Sequence, residues 1–241
     1  MEKSTLKEIE ERFDNDVERF SNLETAQATT LDARYNMDLI TDAIATVYPG
    51  KINILDIGCG AGNYPVCLLQ KIEAADVTLV DLSQPMLDKA YERVSELAKG
   101  NIETIKGDFR TALLPENKFD VIIATAVLHH LRDDQDWETA FARLYRLLKP
   151  KGSLWVFDMV QQTSEEMQQL IFIVKYGKYL TDMKGENYRD HVFAYIDKED
   201  SPRPLVYQLD LLKKIGFNNI DVLHKKLCFA SFVGFKSMSS T

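Results

Sequence analysis

From residue 52 onward, short apolar runs alternate with stretches of helical periodicity. The runs Ile52 to Ile57, Val77 to Asp81, Ile102 to Lys106, Phe119 to Thr125 and Ser153 to Asp158 predict five buried strands. Between them, residues 62 to 72 predict a helix after a glycine turn. Ser83 predicts an N-cap, with Pro85 tolerated in the first turn and Met86, Ala90, Val94 and Leu97 on the apolar face. Trp137, Phe141, Leu144 and Leu148 recur at helical spacing, and Pro150 and Gly152 punctuate the end of that helix. Leu205, Leu209 and Leu212 mark a late helix stopped by Gly216. Ile220 to Leu223 and Leu227 to Phe235 predict two closing strands, joined closely enough for an antiparallel hairpin and too closely for a parallel crossover. Strands alternating with helices in this way define an α/β chain with a largely parallel sheet and helices on both faces.

Two regions stand outside the alternation. In the first 50 residues, Leu6, Ile9, Phe13, Val17 and Phe20 fall at helical spacing and predict an amphipathic helix. The other region is an insertion over 161–204. It leaves the fifth strand at the sheet edge where open α/β sheets bind ligands, a position suited to a lid or substrate wall. The expected organisation is one domain over 1–241, with a helical cap at 1–50, a core at 52–160, the insertion at 161–204 and a closing helix and hairpin at 205–236.

Length and charge narrow the partners. A chain of 241 residues that is 45% hydrophobic buries a sizeable core. No apolar run reaches the roughly 18 residues of a membrane span, and Met1 to Phe20 lacks the apolar segment of a signal peptide. The net charge of -8 and the lack of a basic cluster beyond Lys213-Lys214 and Lys225-Lys226 disfavour nucleic acid. Three cysteines, Cys59, Cys67 and Cys228, form no close-spaced framework and no metal-ligand pattern with a histidine. The expectation is a reduced, cytoplasmic protein without a metal.

The candidate chemistry begins at Asp56-Ile57-Gly58-Cys59-Gly60-Ala61-Gly62, directly after the first strand and opening a helix. Glycines there let the backbone turn tightly and approach a ligand, and the helix N-terminus beyond suits a carboxylate or phosphate. Alone, the loop says only that some ligand can come close. Three carboxylates sharpen it. Asp81 closes the second strand, where an acid hydrogen-bonds ribose hydroxyls in nucleotide-binding folds. Asp108 ends the third strand beside Phe109, suited to an adenine amino group with a ring packed nearby. Asp56 lies inside the first strand, where a carboxylate needs a partner such as a ligand ammonium.

Together with Val80-Asp81-Leu82-Ser83, Gly107-Asp108-Phe109, Phe119-Asp120-Val121-Ile122-Ile123 and Leu147-Leu148-Lys149-Pro150-Lys151-Gly152, this loop resembles the successive motifs of class I S-adenosylmethionine-dependent methyltransferases. The resemblance covers about residues 35 to 236. It implies a Rossmann-like seven-stranded sheet with an antiparallel last strand, S-adenosyl-L-methionine as cofactor, and methyl transfer to a small-molecule O or N acceptor. It also implies roles for particular residues. Gly58, Cys59 and Gly60 would line the methionine part through backbone atoms, Asp81 would hold the ribose, Leu82 and Met86 would lie against the adenosine, and Asp56 and Gly62 count among the cofactor-binding residues. Asp108 and Phe109 would contact adenine, and Thr125 would lie near the methionine. Tyr35 resembles a cofactor-reaching tyrosine of the branch that includes the carboxy-S-adenosylmethionine synthases and related methyltransferases of unassigned substrate. A homodimer is compatible with the resemblance.

His129 and His130 follow the fourth strand at the edge where an acceptor approaches. An imidazole titrates near neutral pH, and His130 is the candidate general base. His191 falls in the expected lid, and His224 reads as structural. Three competing readings remain. A carboxy-S-adenosylmethionine synthase would use a lid-region arginine, for which Arg189 stands at approximate spacing. A nicotinamide-dependent dehydrogenase would share the loop and Asp81, and Tyr145 with Lys149 mimics its Tyr-x-x-x-Lys. That pair reads more simply as i, i+4 neighbours on a helix. A silent binding module on the same fold would leave the cofactor motifs without turnover.

Overall fold

The structure, a computed structural model, describes residues 3–22 and 28–238. The parts of the expected N-terminal cap at 1–2 and 23–27 lie outside the described residues.

The amphipathic N-terminal stripe folds as two short helices, α1 (Leu6–Asp14) and α2 (Val17–Ser21). A capping box starts α1: Glu8 donates its backbone N–H to the Thr5 hydroxyl, and the Glu8 carboxylate accepts the Thr5 backbone N–H. Helix α3 (Ala33–Val47) leads into β1 (Ile52–Ile57) and the glycine turn, then α4 (Asn63–Leu69). The chain continues through β2 (Ala75–Asp81), α5 (Gln84–Ser95), β3 (Ile102–Lys106) and β4 (Phe119–Thr125). A 3₁₀ turn, Leu128–His130, precedes α6 (Asp134–Leu147) and β5 (Leu148–Met159). The insertion is α7 (Glu165–Gln168), a π-helical stretch Gln169–Tyr176, α8 (Gly177–Lys184) and α9 (Glu186–Glu199). A bridge between Gln161 and Pro204 closes its base. Helix α10 (Leu205–Ile215), β6 (Phe217–Lys226) and β7 (Phe229–Lys236) complete the fold.

The seven strands form one sheet in the order β3-β2-β1-β4-β5-β7-β6. β1 to β5 pair in parallel, and β7 runs antiparallel to both β5 and β6. The central strands are buried on both faces, which is why their sequences are nearly continuous apolar runs. Side chains alternate between two cores: Ile54, Val77, Leu79 and Ile123 face one, and Leu55, Ile57, Val80 and Ile122 the other. The edge strand β3 carries exposed Glu103 and Lys106, which blunts pairing with another chain.

Several boundaries differ from expectation. Strand β5 starts at Leu148, which pairs with Phe119, so Leu148 leaves the apolar face of α6. The Pro150–Gly152 segment is absorbed as an irregularity between the Phe119 and Val121 pairings, with Lys151 at φ 66°. Tyr145 and Lys149 therefore share no helix: Tyr145 packs on Phe217, and Lys149 donates to Asp120 at 2.7 Å. Leu227 moves from strand to turn, its φ of 50° making the hairpin corner. Helix α4 ends at Leu69 rather than near residue 72.

Candidate active site

The carboxyl ends of β1, β2, β3 and β4 converge on a cavity of about 320 Å³. At β1, the turn is pinned from outside. Cys59 donates to the Val80 carbonyl at 3.1 Å, and Gly60 donates to Asp81 Oδ2 at 2.8 Å. Arg93 holds the Ala61 carbonyl and Asn63. Gly60 adopts φ 51°, and a Cβ there would meet nothing within 4 Å, so its bare backbone faces open cavity. Gly62 does something else. It caps α4 with φ 75°, and a Cβ would lie 3.1 Å from that of Ala90 on α5. Gly62 permits helix packing and does not line the cavity, a correction to its expected place among the cofactor-binding residues.

Asp81 ends β2 buried on the cavity wall, its other oxygen accepting Ser83 N–H at 2.9 Å. Burial raises this carboxyl, although backbone N–H donors from Ser83, Gly60 and Leu82 oppose the rise. Ser83 caps α5 by accepting from Met86 N–H, which turns Leu82 and Met86 to the cavity. Asp108 and Phe109 line the cavity from the end of β3, and Thr125 from the end of β4. Both Asp108 oxygens accept from Arg110, which also bonds Asp136 at 2.7 Å.

Two expected residues stand elsewhere. Asp56 is buried behind the turn with Oδ1 unpartnered, outside the cavity lining. Burial, reinforced by Asp81, raises its carboxyl well above the usual range. Tyr35 is 56% exposed and packs its ring against His224. Asp32, just before α3, bonds His224 at 3.0 Å and Lys226 at 2.7 Å, which draws this end of the helix toward β6 and away from the cavity.

The motifs do not point to α1, yet Ile9 and Phe13 form part of the cavity lining, as does Phe20 at the end of α2. Their apolar stripe was the available signal: it required a partner surface. Tyr64 also lines the cavity, with a buried, unpartnered hydroxyl.

A second cavity of about 410 Å³ lies beyond. Phe13, Phe20, Ala126 and His130 line both. The insertion walls this second cavity through Tyr176, Tyr188, His191 and Tyr195. The insertion thus walls the second cavity, while the N-terminal helices line the first. Arg189 pairs with Asp190 and Glu186 outside both linings.

At the junction, Asp158 Oδ2 accepts the backbone N–H groups of Val127, Leu128 and His129. Its Oδ1 bonds His129 Nδ1. His129 Nε2 lies 3.7 Å from Asp200 Oδ1, and His130 Nδ1 3.2 Å from the same oxygen. The last two atoms are near but not aligned for a hydrogen bond, so both remain unpartnered. Burial alone would push the His129 imidazole down, but Asp158 and Asp200 outweigh it and raise it to about 9. Burial, then the neighbouring His129, pushes His130 down. Among the described residues, His129, His130 and Asp200 are the one grouping with metal-ligand geometry.

The strand order, the antiparallel seventh strand and the cavity at the strand ends make the expected Rossmann-like sheet. Residues 54–152 match the methyltransferase domain family. An uncharacterized methyltransferase of Mycobacterium bovis is 36% identical over 132 residues, 54% of this chain. The match spans 63% of that relative's length. Demethylmenaquinone methyltransferase of Listeria monocytogenes is 27% identical over 189 residues, 76% of this chain and 78% of its own. Among solved structures, phosphoethanolamine N-methyltransferase 2 of Haemonchus contortus, with phosphomonomethylethanolamine and S-adenosylhomocysteine, superposes with a TM-score of 0.67 at 17% identity. That match covers 98% of this chain and 61% of the other.

Proposed function

We propose that this chain binds S-adenosylmethionine in the first cavity and transfers its methyl group to an oxygen or nitrogen of a small molecule in the second. One observation carries the reading: the two cavities share a wall at Phe13, Ala126 and His130, directly beyond the end of β4. The residues present suit the donor. Bare backbone at Gly60 gives room for close approach, and Asp81 offers a fixed carboxylate to a ribose diol. Leu82, Met86 and Phe109 give apolar walls for adenosine, with Asp108 at the rim. Gly58, Cys59 and Thr125 line the cavity at the ends of β1 and β4, where the methionine part would lie.

Bound there, S-adenosylmethionine supplies an electrophilic methyl group. The protein supplies position, worth up to roughly 7–11 kcal/mol when reacting atoms are held in line. His130 faces the acceptor as general base, a role worth about 10²–10⁴-fold for a hydroxyl.

Two measurements test this. Calorimetry with S-adenosylmethionine and S-adenosylhomocysteine should give saturable heats on folded protein. Cell extract incubated with the protein and methyl-labelled donor should yield a labelled small molecule by mass spectrometry. No heat with either ligand overturns the donor assignment. A labelled donor with an added carboxylate, and no methylated product, overturns the reaction.

A further inference from the structure

The walls of the second cavity specify more than its presence. We propose that the methyl acceptor is an uncharged hydroxyaromatic compound of about two fused rings, seated in the second cavity with its hydroxyl at His130. This rests on the methyl-transfer reading above.

Size and wall come first. The cavity, about 410 Å³, falls toward the small end of the roughly 300–1,000 Å³ typical of ligand pockets. That suits a compact molecule. Phe13, Phe20, Phe157, Tyr176, Tyr188 and Tyr195 supply rings from α1, α2, β5 and the insertion. Tyr176 meets Phe229 edge-on, with centroids 5.6 Å apart, and its hydroxyl is already spent on the Thr29 carbonyl at 2.9 Å. The rings offer a ligand aromatic face and edge, complementary to a flat ring system.

Charge comes second. The charged groups among the described lining residues are Arg12, Arg19, Asp16, Asp158 and Asp200, with His129, His130 and His191 titratable. The cations have partners. Arg12 pairs with Glu199 and lies over the rings of Phe13 and Tyr195. Arg19 lies 3.3 Å from Asp16, and His129 is bonded to Asp158. An anionic acceptor would lose its hydration without gaining an unpaired cation from Arg12, Arg19 or His129, a cost of several kcal/mol. An ammonium would gain from the aromatic faces and from Asp200 Oδ1, but would enter beside the Arg12 and His129 that the carboxylates already serve.

The proton decides the functional group. A phenol, near 10 like tyrosine, lies about four units above an imidazole. An aliphatic hydroxyl, close to the roughly 15.7 of water, holds its proton far more tightly, so an imidazole base favours the phenol. In the step, the acceptor oxygen bonds the methyl carbon as the carbon–sulfur bond breaks with its electron pair on sulfur. The hydroxyl proton passes to His130, whose new charge faces Asp200 Oδ1, 3.2 Å from Nδ1.

The test measures transfer of labelled methyl from S-adenosylmethionine to four matched probes: 2-naphthol, decahydro-2-naphthol, 2-naphthylmethylamine and 6-hydroxy-2-naphthoic acid. Transfer to 2-naphthol should exceed that to each of the others at least ten-fold in kcat/KM. Ile196→Trp, filling the second cavity, should abolish it while S-adenosylhomocysteine binding is kept. His130→Asn should lower it about 10²-fold or more and remove the low-pH fall in kcat. Preference for the amine, the saturated alcohol or the acid overturns the acceptor class and leaves methyl transfer standing. So does turnover of none of the four while extract still yields a labelled product. Absence of donor binding by wild-type protein overturns the underlying reading instead.

Discussion

At the scale of single residues, adjacent glycines of one motif have different tasks, and substitution should separate them. Gly60→Ala carries the left-handed backbone cost, about 1–2 kcal/mol, and places a methyl in the donor cavity. Its melting point should fall modestly while donor affinity falls at least ten-fold by calorimetry. Gly62→Ala adds a clash with Ala90 to the same strain. It should cost about 2–4 kcal/mol of stability in urea melts, with donor affinity of the folded fraction largely retained. Asp81→Ala should weaken donor binding by about 1.5–3 kcal/mol, as for hydrogen bonds to a charged group. The motif spacing made the loop, Asp81, Asp108 and Phe109 legible because strand ends in a parallel sheet meet at one edge. It could not place Asp56 or Tyr35. Asp56 is close in sequence to the loop but points behind it, and Tyr35 is positioned by Asp32, His224 and Lys226, a contact across 192 positions that no local pattern contains.

At the scale of elements, periodicity located the strands well, since burial on both faces writes an apolar run. Boundaries failed where pairing overrode punctuation, as at Leu148 and Leu227. The N-terminal stripe was legible as a helix but not as a roof, because amphipathicity names a face and not its partner. Helix α1 has one buried residue, Ile9. Removing its side chain to Ala forfeits about 2–5 kcal/mol of packing, more than a short helix holds independently. The expected outcome is local release: hydrogen exchange over 6–14 should accelerate and S-adenosylhomocysteine should dissociate faster, with exchange in β1 and β4 unchanged. Uniform acceleration across the sheet would show that α1 is part of the global fold instead.

At the scale of the whole molecule, the buried cluster beyond β4 couples stability to pH. His129 is held to about 9 in the fold by Asp158 and Asp200, against about 6.5 when unfolded. Its contribution is fully present below about 6.5 and is lost as pH rises through about 9. His130, pushed down, acts oppositely, costing stability below about 6.5. Melts across this range should show the alkaline loss, and His129→Gln should remove it. A wild-type profile flat above neutrality would mean that Arg12 and His130 already keep His129 neutral. The same region joins segments far apart in sequence. Lys3 Nζ donates to the carbonyls of Asp197 and Asp200, both at 2.6 Å. Arg132 bonds the Ser4 carbonyl at 2.9 Å and that of Glu199, and Arg12 pairs with Glu199. One seam thus stitches the helix over the donor cavity to the insertion that walls the other. On the proposed function, spent donor and finished product should leave through the parting of that seam. Turnover is then paced by departure, as in enzymes whose lids set the rate: kcat should fall as solvent viscosity rises, and a single bond-making event, timed before release, should not.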